Sequence, residues 1–146
     1  MNDRLKLVSL TANEDLTREI AEILGVEVMP SVVSHFKDGE ILFEGKQSFR
    51  GDNVYIIQST CAPVTERLME VLICCDALKR ASAKSITCIM PYFGYARQDR
   101  KAKARQPITA KLGDTFKTKA IITGIKIIIN IAIPKNILPN KWLISL

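Results

Sequence analysis

Two periods of apolar positions alternate along the chain, and the switches between them predict its elements. Residues 5–10 (Leu5-Lys6-Leu7-Val8-Ser9-Leu10) alternate loosely, which suits a strand. Asn13 then reads as a helix cap. Leu16, Ile20, Ile23 and Leu24 follow at helical spacing, and Gly25 reads as the stop. Residues 26–36 are rich in valine with Pro30 inside, so they are expected to be extended and near a sheet edge. Residues 53–58 form a buried-type strand closed by Ser59-Thr60, and Pro63 sits where a helix begins. Leu68, Met69, Leu72, Ile73, Ala77 and Leu78 predict that helix's apolar face, with Glu66, Glu70, Lys79 and Arg80 outside it. Residues 85–90 are a further strand, ended by Pro91. Strands alternating with helices predict an α/β fold around a mostly parallel sheet, whose ligands bind beyond the carboxyl ends of the strands.

Two turns punctuate this order. Arg50-Gly51 is one. The other is Asp38-Gly39, within Phe36-Lys37-Asp38-Gly39-Glu40, where glycine tolerates the positive φ of a tight hairpin. On spacing alone, residues 36–40 are either a plain hairpin turn or a ligand contact. In the second case Phe36 offers a stacking face while Asp38 and Glu40 accept hydrogen bonds.

The candidate chemistry lies after the last of these strands, in residues 91–109. Tyr92, Phe93 and Tyr95 lead into Arg97, Gln98, Asp99, Arg100, Lys101, Lys103 and Arg105, and Pro107 follows. An aromatic ring holds a base, arginine chelates phosphate oxygens in two places, and glutamine reads a base edge or a sugar hydroxyl. Charge alone fits a phosphate ligand, a nucleic acid or a solvated surface equally. Neither G-x-x-x-x-G-K-[ST] nor G-x-G-x-x-G occurs, so neither common nucleotide motif applies.

Composition narrows these classes. The formal charge is +6 with a pI near 9.3, but residues 97–105 and residues 113–146 each hold a net +4, which leaves −2 elsewhere. The basicity is therefore local, and it argues only weakly for nucleic acid. Cys61, Cys74, Cys75 and Cys88 contain no C-x-x-C pair and read as small buried thiols rather than a zinc site or a disulfide framework. The early charges Asp3, Arg4 and Lys6 leave no apolar signal core. The longest apolar-rich run, residues 120–133, is shorter than the roughly 18 residues of a membrane span and includes Lys126. A cytoplasmic protein without a membrane partner is the expectation.

Several runs together resemble ribose-phosphate pyrophosphokinase (phosphoribosyl pyrophosphate synthetase). They are Phe36-Lys37-Asp38-Gly39-Glu40, Ile57-Gln58-Ser59-Thr60-Cys61-Ala62-Pro63-Val64, Asp76-Ala77-Leu78-Lys79-Arg80-Ala81-Ser82-Ala83-Lys84 and Pro91-Tyr92-Phe93-Gly94-Tyr95-Ala96-Arg97-Gln98-Asp99-Arg100-Lys101, continuing to Gln106-Pro107-Ile108-Thr109-Ala110-Lys111-Leu112. They stand in the family's order over residues 5–112. The resemblance implies transfer of the terminal diphosphate of ATP to the C1 hydroxyl of ribose 5-phosphate, with magnesium, giving phosphoribosyl diphosphate and AMP. It implies a phosphoribosyltransferase-like N-terminal domain, incomplete at its C-terminus, and an ATP site at a subunit interface in a homo-oligomer.

By the same resemblance, Phe36, Asp38, Gly39 and Glu40 reach the adenine of a neighbouring subunit's site, while Arg97 and Gln98 contact ATP from their own subunit. This favours ligand contact for residues 36–40 over the plain turn. Asp99, Arg100, Lys101 and Arg105 are further candidate ATP or phosphate contacts. Ser48, Arg50, Arg80 and Ser82 fall where the family often builds an allosteric phosphate and nucleotide site, with ordinary surface positions as the alternative.

After Leu112 the likeness stops. The family's next strand carries a histidine that serves metal and ATP, whereas the one histidine here is His35. No stretch matches the family's flexible catalytic loop or its acidic ribose-phosphate loop, so neither catalytic residues nor magnesium ligands are assigned. Residues 113–146 are rich in Ile, Lys and Asn, as an out-of-frame reading of AT-rich DNA would be. A frameshift near residue 112 is the expectation for this tail. Within it, residues 127–133 could still pair as a strand and, with no designed partner, are equally an aggregation hazard. Three readings follow: an active synthetase, an inactive fragment that binds or modulates a full-length synthetase, and, ranked last, a basic nucleic-acid binder.

Overall fold

The computed structural model describes residues 5–98, 101, 103, 105, 107–109 and 125–129. Four parallel strands form the central sheet in the order β1-β4-β5-β6: β1 is Leu5–Ser9, β4 Asn53–Ile57, β5 Ser85–Met90 and β6 Ile125–Ile129. Helix α1 (Glu14–Leu24) follows β1, and α2 (Val64–Arg80) joins β4 to β5. Strands β2 (Ser31–His35) and β3 (Ile41–Gly45) make a separate antiparallel hairpin. The α/β class and the parallel sheet are as the periodicity predicts. Pro30 lies just before β2, and Val28 makes a single parallel bridge to Leu7 at the outer edge of the sheet.

Strand alternation sorts the apolar side chains into two cores. Val8, Leu10, Val54, Ile56, Ile86, Cys88 and Met90 join Val71, Cys74, Cys75 and Leu78 of α2 and Phe43 and Phe49 from the hairpin side. Leu7, Ile57, Tyr55 and Ile89 pack on the opposite face with Ala21, Leu16 and Ile20 of α1. The sheet is thus sandwiched between α1 and a layer of α2 with the hairpin. Complete burial of Leu78 contributes about 2 kcal/mol.

Each helix buries part of the expected face and shifts the rest: Leu16 and Ile20 of α1 and Ile73, Ala77 and Leu78 of α2 pack on the core, other expected positions do not. In α1 the buried residues are Thr17 and Ala21, whereas Ile23 is 80% exposed and Leu24 54%. The sheet sits under the Leu16–Ile20 side of the helix, so the last two apolar residues lie past its edge. Gly25 is the stop as expected, left-handed at φ +63, with Val26 N–H donating to Ala21 C=O. Asn13 occupies the N-cap position of α1, but its side chain makes no capping bond. Its Oδ1 instead accepts from the Ser59 N–H across the sheet. In α2, Met69 is 42% exposed and Glu70 only 1%. Residues 71, 74, 75 and 78 form the buried i, i+3, i+4, i+7 stripe, and Glu70 lies inside with it.

Glu70 is buried because donors from two loops and its own helix converge on it. The Thr11 hydroxyl is 2.6 Å from each carboxylate oxygen, Gln58 Nε2 is at 2.8 Å and Arg67 Nη1 at 2.9 Å. The Thr11 N–H adds a longer bond of 3.3 Å. Gln58 Oε1 accepts from the Ala12 N–H at 3.0 Å. A carboxylate leaves water at a tolerable cost only when so many partners replace it.

The tail does pair as a strand, beginning two residues before the stretch singled out and with β5 as its partner: Ile86 pairs with Ile125 and Met90 with Ile129. Residues 130–133 lie outside the described residues. Of the cysteines, Cys74, Cys75 and Cys88 are buried as expected, while Cys61 is half-buried. No helix among the described residues is long and apolar enough to cross a membrane.

Removing the buried carboxylate strands the donors around it. Glu70→Ala is expected to lower stability by about 3 kcal/mol, because it leaves Gln58 Nε2 buried without an acceptor. Glu70→Gln, which keeps an acceptor, is expected to cost clearly less. Urea denaturation of the two variants beside the parent chain measures both.

Candidate nucleotide site

The carboxyl ends of β1, β4 and β5 are tied together by residues 58–60. The Gln58 N–H donates to Ile89 C=O at 3.0 Å and the Thr60 N–H to Tyr92 C=O at 2.9 Å. These bonds extend the β4–β5 ladder past the strands and fix the start of the loop that follows Met90. Thr60 Oγ1 accepts from the Gly94 N–H at 2.6 Å. The Tyr95 and Thr65 hydroxyls lie 2.9 Å apart, linking the loop to the first turn of α2. Residues 91–95 are therefore held against β4 and α2, and a short 3₁₀ turn, Ala96–Gln98, projects from them.

Arg97 is exposed at this projection, and Lys101 and Arg105 are exposed beyond it. Gln98 ends the 3₁₀ turn. Asp99 and Arg100 lie outside the described residues. Tyr92 and Tyr95 are 39% and 37% exposed, so each presents part of a ring to solvent. The described basic side chains and tyrosines together suit an anionic ligand with a flat group.

The hairpin turn is built as its sequence predicts. The Gly39 N–H donates to Phe36 C=O at 2.9 Å and the Phe36 N–H to Glu40 C=O at 2.8 Å. Gly39 has φ +92, where a side chain is strained. Asp38 Oδ1 accepts from the Glu40 N–H at 3.1 Å, so this carboxylate shapes the turn and keeps its other oxygen for a ligand. Phe36 is 54% exposed. His35 Nε2 lies 3.2 Å from Glu66 Oε1 and pins the hairpin to the first turn of α2. Thr65 and Glu66 are consecutive, so adjacent residues of one helix hold both the loop and the hairpin.

Ser48, Arg50, Arg80 and Ser82 are at the other end of the sheet. Ser48 Oγ accepts from the Arg50 N–H at 3.3 Å, and Ser82 C=O accepts from the Gly51 N–H at 3.0 Å. This brings the residues before β4 and before β5 together. Arg80 is exposed and bonded to Asp76 at 2.6 Å, a contact that holds its guanidinium charged. All four are surface residues.

Among the described residues no three His, Cys, Asp or Glu side chains converge as a metal site requires. The described loop side chains after Tyr95 that carry charge are cationic, so these residues do not fit a magnesium ion by themselves. Sequence reasoning missed Thr60, Thr65 and His35 as the residues that mount the two candidate walls. Only the positions of Thr60 and Thr65 beside a strand end and a helix start hinted at them.

Gly94 packs closely against Thr60 and the start of α2. A Cβ there would stand 2.6 Å from Thr60 O and 2.4 Å from Val64 Cγ1, and the first of these is backbone. Gly94→Ala is expected to cost about 2 kcal/mol through overpacking and to make the 91–98 loop cleave faster under limited proteolysis. An unchanged cleavage rate would contradict this account of the loop.

The comparisons with known proteins point one way. A sequence profile described as the N-terminal domain of ribose phosphate pyrophosphokinase matches residues 5–120. The chain is 59% identical over 109 residues to a ribose-phosphate pyrophosphokinase of Bacillus caldolyticus, covering 75% of this chain and 35% of that protein. It is 59% identical over 117 residues to ribose-phosphate pyrophosphokinase 2 of Enterococcus faecalis, covering 80% and 36%. The crystal structure of phosphoribosylpyrophosphate synthetase from Mycobacterium smegmatis superposes with a TM-score of 0.78 at 38% identity, over 86% of this chain and 42% of that one. The chain spans about a third of the length of the curated relatives it matches. With the sheet, the hairpin and the basic loop in place, the chain belongs to the ribose-phosphate pyrophosphokinase family, in the part that forms its N-terminal domain.

Proposed function

We propose that this chain supplies the nucleotide-facing part of a ribose-phosphate diphosphokinase, and that the 146-residue polypeptide does not turn over by itself. The reaction is diphosphate transfer from ATP to ribose 5-phosphate, giving phosphoribosyl diphosphate and AMP for nucleotide biosynthesis. Such a displacement depends on charge neutralisation and alignment rather than on a covalent nucleophile. Arg97, Gln98 and the cations after them are the ATP contacts of one wall. Phe36, Asp38, Gly39 and Glu40 are the other, offered to the adenine of a neighbouring subunit. Magnesium would be held by groups outside the described residues, and it would neutralise phosphate charge in transfer.

The observation that carries this reading is the exposed, rigidly mounted hairpin tip. A phenylalanine that is 54% exposed on a turn fixed by four residues' hydrogen bonds and a His35–Glu66 contact is pre-organised for a flat partner. Ser48, Arg50, Arg80 and Ser82 at the far end are, in this reading, a separate regulatory phosphate site.

The test mixes the purified chain with a full-length synthetase of the family. Alone, the chain is expected to release no AMP from ATP and ribose 5-phosphate. In the mixture it is expected to co-purify with the full-length enzyme and to shift that enzyme's dependence on ATP, an effect lost in Phe36→Ala. Turnover by the chain alone would overturn the first part of the proposal. Failure to associate would overturn the second.

A further inference from the structure

The nucleotide reading makes no use of the buried sulfurs. Cys75 of α2 and Cys88 of β5 meet between the helix and the sheet, with their Sγ atoms 3.3 Å apart. Both are free thiols, 7% and 1% exposed. Val71, Leu78, Ile86 and Met90 belong to the same apolar cluster. A disulfide has its sulfurs about 2.05 Å apart, so closure needs an approach of only about 1.3 Å. Cys74 is equally buried, but successive helical residues point about 100° apart, so it does not share that direction.

We propose that Cys75 and Cys88 form an oxidative modification site, at which hydrogen peroxide converts the two thiols to one disulfide joining α2 to β5. The Cys75 thiolate attacks one peroxide oxygen. An S–O bond forms, the O–O bond breaks, and the departing hydroxide takes up a proton as water. Cys75 is then a sulfenic acid. Cys88 sulfur next attacks Cys75 sulfur, the S–O bond breaks and a second water leaves. One peroxide and two thiols give one disulfide and two waters.

Cys75 is the first nucleophile because it is the more exposed of the pair. The hydrogen bond with Cys75, and then burial, hold the Cys88 thiol well above the usual thiol range, so Cys88 keeps its proton until the sulfenic acid forms. Burial, with the neighbouring Cys75 and Glu70, likewise raises Cys74; what keeps Cys74 out of the exchange is its direction on the helix. The bond would fix the helix whose first turn holds both the hairpin and the loop.

The experiment treats the full 146-residue chain with hydrogen peroxide, blocks remaining thiols with an alkylating agent, and maps the digest by tandem mass spectrometry. The cuts available at Lys79, Arg80 and Lys84 separate the two cysteines. The expected product has lost two hydrogen masses, links position 75 to position 88, leaves Cys61 and Cys74 alkylatable, and reverts with dithiothreitol. Its melting temperature is expected to rise by about 5 °C or more over the reduced chain. Cys74→Ala is expected to oxidise at the parental rate, and Cys88→Ser to stop at sulfenic or higher acids on Cys75. A bridge through Cys74 or Cys61, the same mixture of pairings in urea as in buffer, or peroxide-resistant thiols in the folded chain would each overturn the proposal.

Discussion

The carboxylate of Glu70 can stay out of water only if Thr11, Gln58 and Arg67 come to it, and that requirement organises one end of the domain. Thr11 follows β1, Gln58 follows β4, and Glu70 and Arg67 belong to α2. Each donor is fixed by another bond or by the chain beside it. Gln58 also receives the Ala12 N–H, and the next residue, Ser59, donates to Asn13. The carboxyl ends of neighbouring parallel strands, which in this class of fold are free to carry loops, are thereby held in one register. An apolar residue at position 70 would pack more cheaply, but it would not specify which loop meets which.

That register decides where the chemistry stands. With residues 58–60 fixed, the Thr60 N–H donates to Tyr92 C=O and its hydroxyl oxygen accepts the Gly94 N–H, and the 91–98 loop leaves the sheet along one path. The start of the loop, residues 91–95, is then fixed by backbone and hydroxyl bonds, and Arg97 stands exposed just beyond it. If the loop holds a polyphosphate as proposed, a fixed base for its cations lowers the reorganisation needed when charge moves.

The sequence announced elements whose local chemistry admits one solution. Asp38-Gly39 between two valine- and isoleucine-bearing runs demands a hairpin, and Gly25 after a periodic stretch demands a stop; both are where they were read. What stayed hidden depends on long-range partners. Glu70 reads as a solvated helical residue until Gln58, twelve positions away, and Thr11, fifty-nine away, are brought to it. Asn13 reads as a cap because nothing local reveals Ser59 as a better donor. Ile23 and Leu24 match the helical period, yet the edge of the sheet falls short of them. Among the candidate site residues the hairpin was legible as a unit. The mount beneath it was not, since His35 and Glu66 are ordinary residues until α2 and β2 are packed together.

The shared mount also bears on why the two walls would serve different sites. Thr65 holds the loop through Tyr95 and Glu66 holds the hairpin through His35. Consecutive residues on an α-helix diverge by about 100° around its axis. Two segments anchored to them leave the helix in different directions, and a tight, rigid helix turn keeps that angle constant. A base and a triphosphate gripped from one chain would need the segments to converge instead. Divergent walls on one rigid turn are what an assembly needs if each subunit lends its hairpin outward while its own loop faces its own nucleotide.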